Sequence, residues 1–150
     1  MHQITPQLTI ASLEEVREQS LPNPDLVVGV CQDSAGSNVG CEYVHTPLRS
    51  SPMSNYLRGT CDYDTFSAGV EPSVEALSTG NDLVIHCHRG EHRSVAVAIA
   101  ALAVAHDWPY EMALEAVTQA HPNPRFDPIQ SAFALTYVIS NGGRLWGGPA

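Results

Sequence analysis

Lysine is absent from the 150-residue sequence, and the seven basic residues other than histidine are all arginine. Against them stand 16 carboxylates, for a net charge of −9. So acidic a surface repels polyanions, which argues against nonspecific binding to nucleic acid or to an anionic membrane. The same bias suits a high-salt host or a GC-rich genome. Long apolar runs are also missing. The longest, Val95 to Ala105, is too short to span a bilayer. The opening Met1 to Leu8 has neither a basic flank nor an apolar stretch, so a secretory signal is not expected and a cytoplasmic location is. Cysteine is sparse. The four at positions 31, 41, 61 and 87 form no C-x-x-C pair, which excludes a zinc-ribbon pattern and weakens a disulfide scaffold.

What remains is ordinary globular material, 43% apolar, enough for one core. One domain is expected over residues 1–140, followed by a Gly-rich tail over 141–150. Ile4 to Ile10 alternates apolar and polar residues and predicts a strand. Ser12 with Glu15 makes a capping box for a helix over Leu13 to Ser20. Leu26 to Cys31 reads as a buried parallel strand, and Tyr43 to Leu48 as a third strand. Arg49 to Thr60 reads as a loop. A helix is expected from Asp64 to Thr79, with Pro72 casting doubt on its first half. Leu83 to His86 is a fourth strand, followed by helices ending near His106, over Pro109 to Ala120 and over Asp127 to Ser140. Strands alternating with helices predict an α/β fold: a central, mostly parallel sheet of four to five strands flanked by helices.

The chemistry is concentrated in His86-Cys-His-Arg-Gly-Glu-His-Arg-Ser94, which joins the fourth strand to an Ala/Val-rich helix. A loop entering a helix N-terminus aims backbone N–H groups and the positive end of the helix dipole at one point. Gly90 permits close approach, and Arg93 offers a planar fork for phosphate oxygens. The same field, with Arg93 and His86, favours a thiolate at Cys87. A thiolate beside a bound phosphate can attack phosphorus and form a phosphocysteine. Ser94 can donate its hydroxyl to the sulfur. His88, Arg89, Glu91 and His92 complete the loop or meet substrate at its rim. His86, His88 and His92 are not read as a metal site, because Gly90 breaks the helical spacing and Arg89 and Arg93 repel a dication; His86 is expected to orient the loop through hydrogen bonds. No cofactor is required.

HCHRGEHRS resembles the HCxxGxxRS signature of the protein tyrosine phosphatase superfamily, most closely its compact dual-specificity branch. The order of strands and the opening capped helix agree with that branch. His121-Pro-Asn-Pro-Arg-Phe126 with Gln130 is similar to its PN-x-F…Q segment. The resemblance implies a phosphate bound by loop amides and Arg93 at the carboxyl end of a parallel sheet. It implies a phosphorylated protein or a small phosphomonoester as substrate. The sequence carries no signal for oligomeric state. Low-molecular-weight phosphatases place their loop near the N-terminus, unlike this chain.

The family also uses an aspartic general acid upstream of the nucleophile. In the dual-specificity branch it follows the third strand, where this sequence has Arg49, Ser50 and Ser51. Three readings stand: Asp62 acts from a lengthened loop; Asp64 acts; or neither does, Asp64 being a helix N-cap while Glu91 or water serves. Asp33 reads as a turn residue. Without an acid the chain would be a phosphate-binding module, a pseudophosphatase. Sulfur or arsenate chemistry on a similar loop is a further alternative. Cys31 is either a small core residue or, as in some relatives, a redox partner for Cys87. Asn123 and Arg125 either brace the loop or fill a turn.

Overall fold

The computed structural model describes residues 1–36, 39–52 and 59–147. In chain order its elements are β1 (His2–Gln3), β2 (Leu8–Ser12), α1 (Leu13–Arg17), β3 (Leu26–Gly29), β4 (Glu42–His45), α2 (Tyr63–Ser78), β5 (Leu83–Cys87), α3 (Arg93–Ala105), α4 (Tyr110–Ala120) and α5 (Pro128–Ser140). The strands form one sheet in the order β1-β2-β5-β3-β4. All neighbours are parallel except the edge pair β1–β2.

Side-chain alternation assigns the two faces of the sheet. Ile10, Val28 and Ile85 join the main core with the helices α2 to α5. Ala11, Val27 and Val84 point the other way, onto Val16 of α1 and the half-buried Leu21 and Tyr43. Helix α3 is the centre of the molecule, packed against β5, α2, α4 and α5. Every residue from Arg93 to Ala103 is buried. Burying Val95, Val97, Ile99 and Leu102 contributes on the order of 10 kcal/mol before chain entropy is subtracted. The N-terminus of α3 is therefore a fixed platform.

Several boundaries differ from the sequence reading, each for a local reason. The strand expected from Ile4 begins only at Leu8 as β2, after a turn through Pro6, which has no N–H for a ladder, and the short β1 precedes the expected range. Helix α1 ends at Arg17 rather than Ser20, because Gln19 takes a left-handed φ of +58°. Helix α2 runs unbroken through Pro72, and Ser73 Oγ donates to Gly69 O at 2.8 Å beside it. Residues 143–147 of the Gly-rich tail lie across the start of α4. Pro109 offers α4 no side-chain cap, and the N–H groups of Tyr110 and Glu111 donate instead to the carbonyls of Arg144 and Leu145 at 2.7 and 3.0 Å. Gly148 to Ala150 fall outside the described residues, as does 53–58 of the loop expected over Arg49 to Thr60. Among the described residues no helix is long and apolar enough to cross a membrane.

Candidate active site

Strand β5 ends at Cys87 and α3 begins at Arg93, so the loop between them sits at the carboxyl end of the sheet. Ligands gather there in parallel α/β folds, because loops converge on helix N-termini. Helix α3 has no side-chain cap at His92. Its first N–H groups are thus left to the loop and to whatever occupies it. Gly90 takes φ +72°, and a Cβ there would lie 2.8 Å from Ala11 O, so both conformation and space demand glycine. That turn aims Gly90 N–H at Cys87 Sγ, 3.2 Å away.

Cys87 is buried. Burial alone opposes ionisation, but the Arg93 charge and hydrogen bonds from Ser94 and His92 outweigh it, and the thiol lies below its ordinary value of 9. Ser94 Oγ stands 3.2 Å from Sγ and donates to it when sulfur is a thiolate. Arg93 is buried and clamped: Nη1 donates to Gln32 Oε1 at 2.5 Å and to Leu48 O at 2.9 Å. Its Nε is buried with no protein partner. A buried guanidinium N–H without an acceptor is costly, and an anion beside Cys87 is the group that would satisfy it. A cavity of about 200 Å³ adjoins these atoms, lined by Gln32, Asp33, Ser50, Cys87, His92 and Arg93, with His88 and Arg89 at its exposed rim. Glu91 faces a broader groove of about 650 Å³ on the α1 side, which His88 and Arg89 also line.

His86 is wholly buried and does not supply the positive charge expected of it. Burial pushes its pKa down to about 4, so the imidazole is neutral. Its bonds assign the tautomer. Nδ1 lies 3.2 Å from Cys87 O, a pure acceptor, so Nδ1 carries the proton. Nε2 then accepts from Tyr43 Oη at 2.9 Å, and Tyr43 Oη accepts from Ala35 N–H at 2.9 Å. The thiolate field therefore comes from Arg93, Ser94 and loop amides, with His86 holding the backbone at Cys87.

The loop is braced from below by the segment after α4. Buried His121 donates from Nε2 to Gly90 O at 2.7 Å, while its Nδ1 accepts from Asn123 N–H at 3.1 Å. Arg125 N–H donates to Glu91 O at 2.8 Å, and its Nε pairs with Glu91 at 3.3 Å. Arg125 thus braces the loop, and the turn-only reading fails for it. That ion pair is largely exposed and contributes little; the backbone bond sets the geometry. Gln130 donates to the carbonyls of Arg49 and Ser50 at 3.2 and 3.1 Å, which fixes one cavity wall.

The two expected acids are not brought to this cavity. Asp62, rather than Asp64, is the N-cap of α2, accepting from Thr65 N–H at 2.7 Å. That bond and the Thr65 hydroxyl hold its carboxyl below the ordinary range. A proton donor needs the opposite shift. Asp64 is exposed in the first turn of α2. Asp33, read from sequence as a turn residue, is the one carboxylate lining the cavity among the described residues. Sequence reasoning also missed Gln32, Tyr43 and His121. The signal for Gln32 and Asp33 was their position just past a parallel strand's carboxyl end. Cys31 is buried beside this cluster. Its Sγ donates to Asp33 O at 3.2 Å, and burial pushes its thiol up to about 11, so it stays protonated where Cys87 ionises.

No family model matches the chain. It is 30% identical over 133 residues to dual specificity protein phosphatase 22 of Xenopus tropicalis, an alignment covering 84% of this chain and 61% of that relative's length. Its fold is that of human DUSP28, with a TM-score of 0.75 at 17% identity, covering 93% of this chain and 96% of the other. PTPMT1 superposes with a TM-score of 0.71 at 18% identity, covering 94% and 95%.

Proposed function

We propose that the chain, similar over 84% of its length to a dual specificity protein phosphatase and sharing the fold of DUSP28, belongs to the dual-specificity-like branch of the protein tyrosine phosphatase superfamily, and that its 1–140 domain is a cysteine-dependent phosphomonoester hydrolase. The observation that carries this is the pairing of Cys87 Sγ, held by Gly90 N–H and Ser94 Oγ, with the buried, unpartnered Nε of Arg93. A phosphate there would receive Arg93 Nε and backbone amides of the loop at the start of α3.

In the first half-reaction, the Cys87 thiolate attacks phosphorus in line with the leaving oxygen. An S–P bond forms, the ester P–O bond breaks, and the leaving oxygen takes a proton. Arg93 and the amides hold the equatorial oxygens, where charge must be stabilised in the transition state. Water then attacks phosphocysteine, the S–P electron pair returns to sulfur, and Ser94 Oγ–H steadies the departing thiolate. Substrates are phosphotyrosine or phosphoserine/threonine proteins, or a small phosphomonoester. Release of phosphate from 4-nitrophenyl phosphate by wild type, and none by Cys87→Ser, is the expected result. Turnover by Cys87→Ser would reject the nucleophile.

One observation favours a second reading, a phosphate-binding pseudophosphatase. Ser50 occupies the cavity wall near where the branch carries its acid, and neither Asp62 nor Asp64 lines it. That reading expects vanadate binding without turnover of any ester.

A further inference from the structure

We propose that Asp33 is the general acid and base of the reaction, acting from the loop after β3. The assignment rests on the phosphatase reading. Strand β3 pairs in parallel with β5, Gly29 opposite His86, so the chain leaving β3 runs past the cysteine end of β5. Val30 N–H donates to His86 O at 2.8 Å and continues that register. The following loop is tied down at successive points. Cys31 Sγ donates to Asp33 O, Gln32 Oε1 accepts from Arg93, Ser34 O accepts from Arg17 Nη2 at 3.1 Å, and Ala35 N–H reaches Tyr43. Asp33 is half-buried on the wall of the cavity holding Cys87 and Arg93. These bonds fix the backbone that carries Asp33 beside Cys87 and Arg93, and such positioning is what a proton donor requires.

The other titratable groups facing the cavity do not fit the role. Arg89 and Arg93 keep their protons. Burial lowers His92, which leaves it neutral and without a proton to give near neutrality. His88 stands exposed on the rim. As the S–P bond forms and the ester bond breaks, the Asp33 carboxyl proton passes to the leaving oxygen. The resulting carboxylate then takes a proton from the water that attacks phosphocysteine, restoring the acid.

The test compares wild type, Asp33→Asn and Asp33→Glu on phenyl phosphate and 4-nitrophenyl phosphate, which differ mainly in leaving-group basicity. Asp33→Asn should lose roughly 10²- to 10⁴-fold in kcat on phenyl phosphate and far less on the nitrophenyl ester. The alkaline limb of its pH–rate profile should flatten. Asp33→Glu should recover part of the loss, and vanadate should bind Asp33→Asn as it binds wild type. Equal loss on both esters, or no loss, overturns the role of Asp33 while leaving the phosphatase reading intact. A wild type that turns over neither ester overturns both. If Asp33→Asn fails to bind vanadate, Asp33→Ser carries the same comparison.

Discussion

Replacing Gly29 with alanine tests the network beneath Cys87. A Cβ at Gly29 would sit 2.5 Å from His86 Nε2 and closer still to Tyr43 Oη, with nowhere to go inside the sheet. One of the two rings must shift, and the 2.9 Å bond between them breaks. His86 Nε2 is then buried without its donor, at about 1–3 kcal/mol. Forcing the rings apart costs about 1–3 kcal/mol more. The gain from restricting the unfolded chain is only about 0.4–1 kcal/mol, so destabilisation of about 2–5 kcal/mol wins. For a domain of this size that lowers Tm by roughly 5–15 °C, read by thermal unfolding. The Tyr43→Phe background supplies the control. With the hydroxyl gone, one clash is relieved and the bond is already lost, so Gly29→Ala should cost less there than in wild type. Additivity of the two changes within about 0.5 kcal/mol would refute the reasoning, as would a Gly29→Ala melt within about 2 °C of wild type.

Neutral His86 makes stability depend on pH. The unfolded chain binds a proton at His86 near pH 6.5, while the folded chain resists until about 4. Stability from this residue is therefore complete above pH 6.5 and is lost as pH falls from 6.5 towards 4, on the order of 3 kcal/mol in all. Urea unfolding between pH 7 and 4 should show that slope, and His86→Asn should flatten it. Arg93→Met removes the charge that favours the thiolate, so the pH midpoint for alkylation of Cys87 by iodoacetamide should rise, and vanadate should cease to protect. An unchanged midpoint would deny Arg93 that electrostatic role. Asp62→Ala loses the cap of α2, about 1 kcal/mol or roughly 2–4 °C in Tm. Its ratio of phenyl to nitrophenyl phosphate turnover should match wild type, and a selective loss on phenyl phosphate would restore Asp62 as the acid.

The mostly parallel sheet flanked by helices was legible in the sequence because its signals are local. Leu26 to Val30 and Leu83 to Ile85 are continuous apolar runs of strand length, and the Ala/Val run after Ser94 has the length and composition of a buried helix. The loop from His86 to Ser94 was legible for the same reason: cysteine, glycine, arginine and helix start lie within nine consecutive residues. Identity and spacing alone put Cys87 and Arg93 together. Tertiary structure decided what depends on parallel register and on contacts between distant segments. It set Gln32 and Asp33 against the loop from 61 and 54 positions away, joined His121 to Gly90, and ran Tyr43 to His86 past a glycine too small to object. It also turned Asp62 into a helix cap and His86 into a neutral ring. A side chain's charge and partners follow from burial and from which strand ends meet, and neither is written in its immediate neighbours.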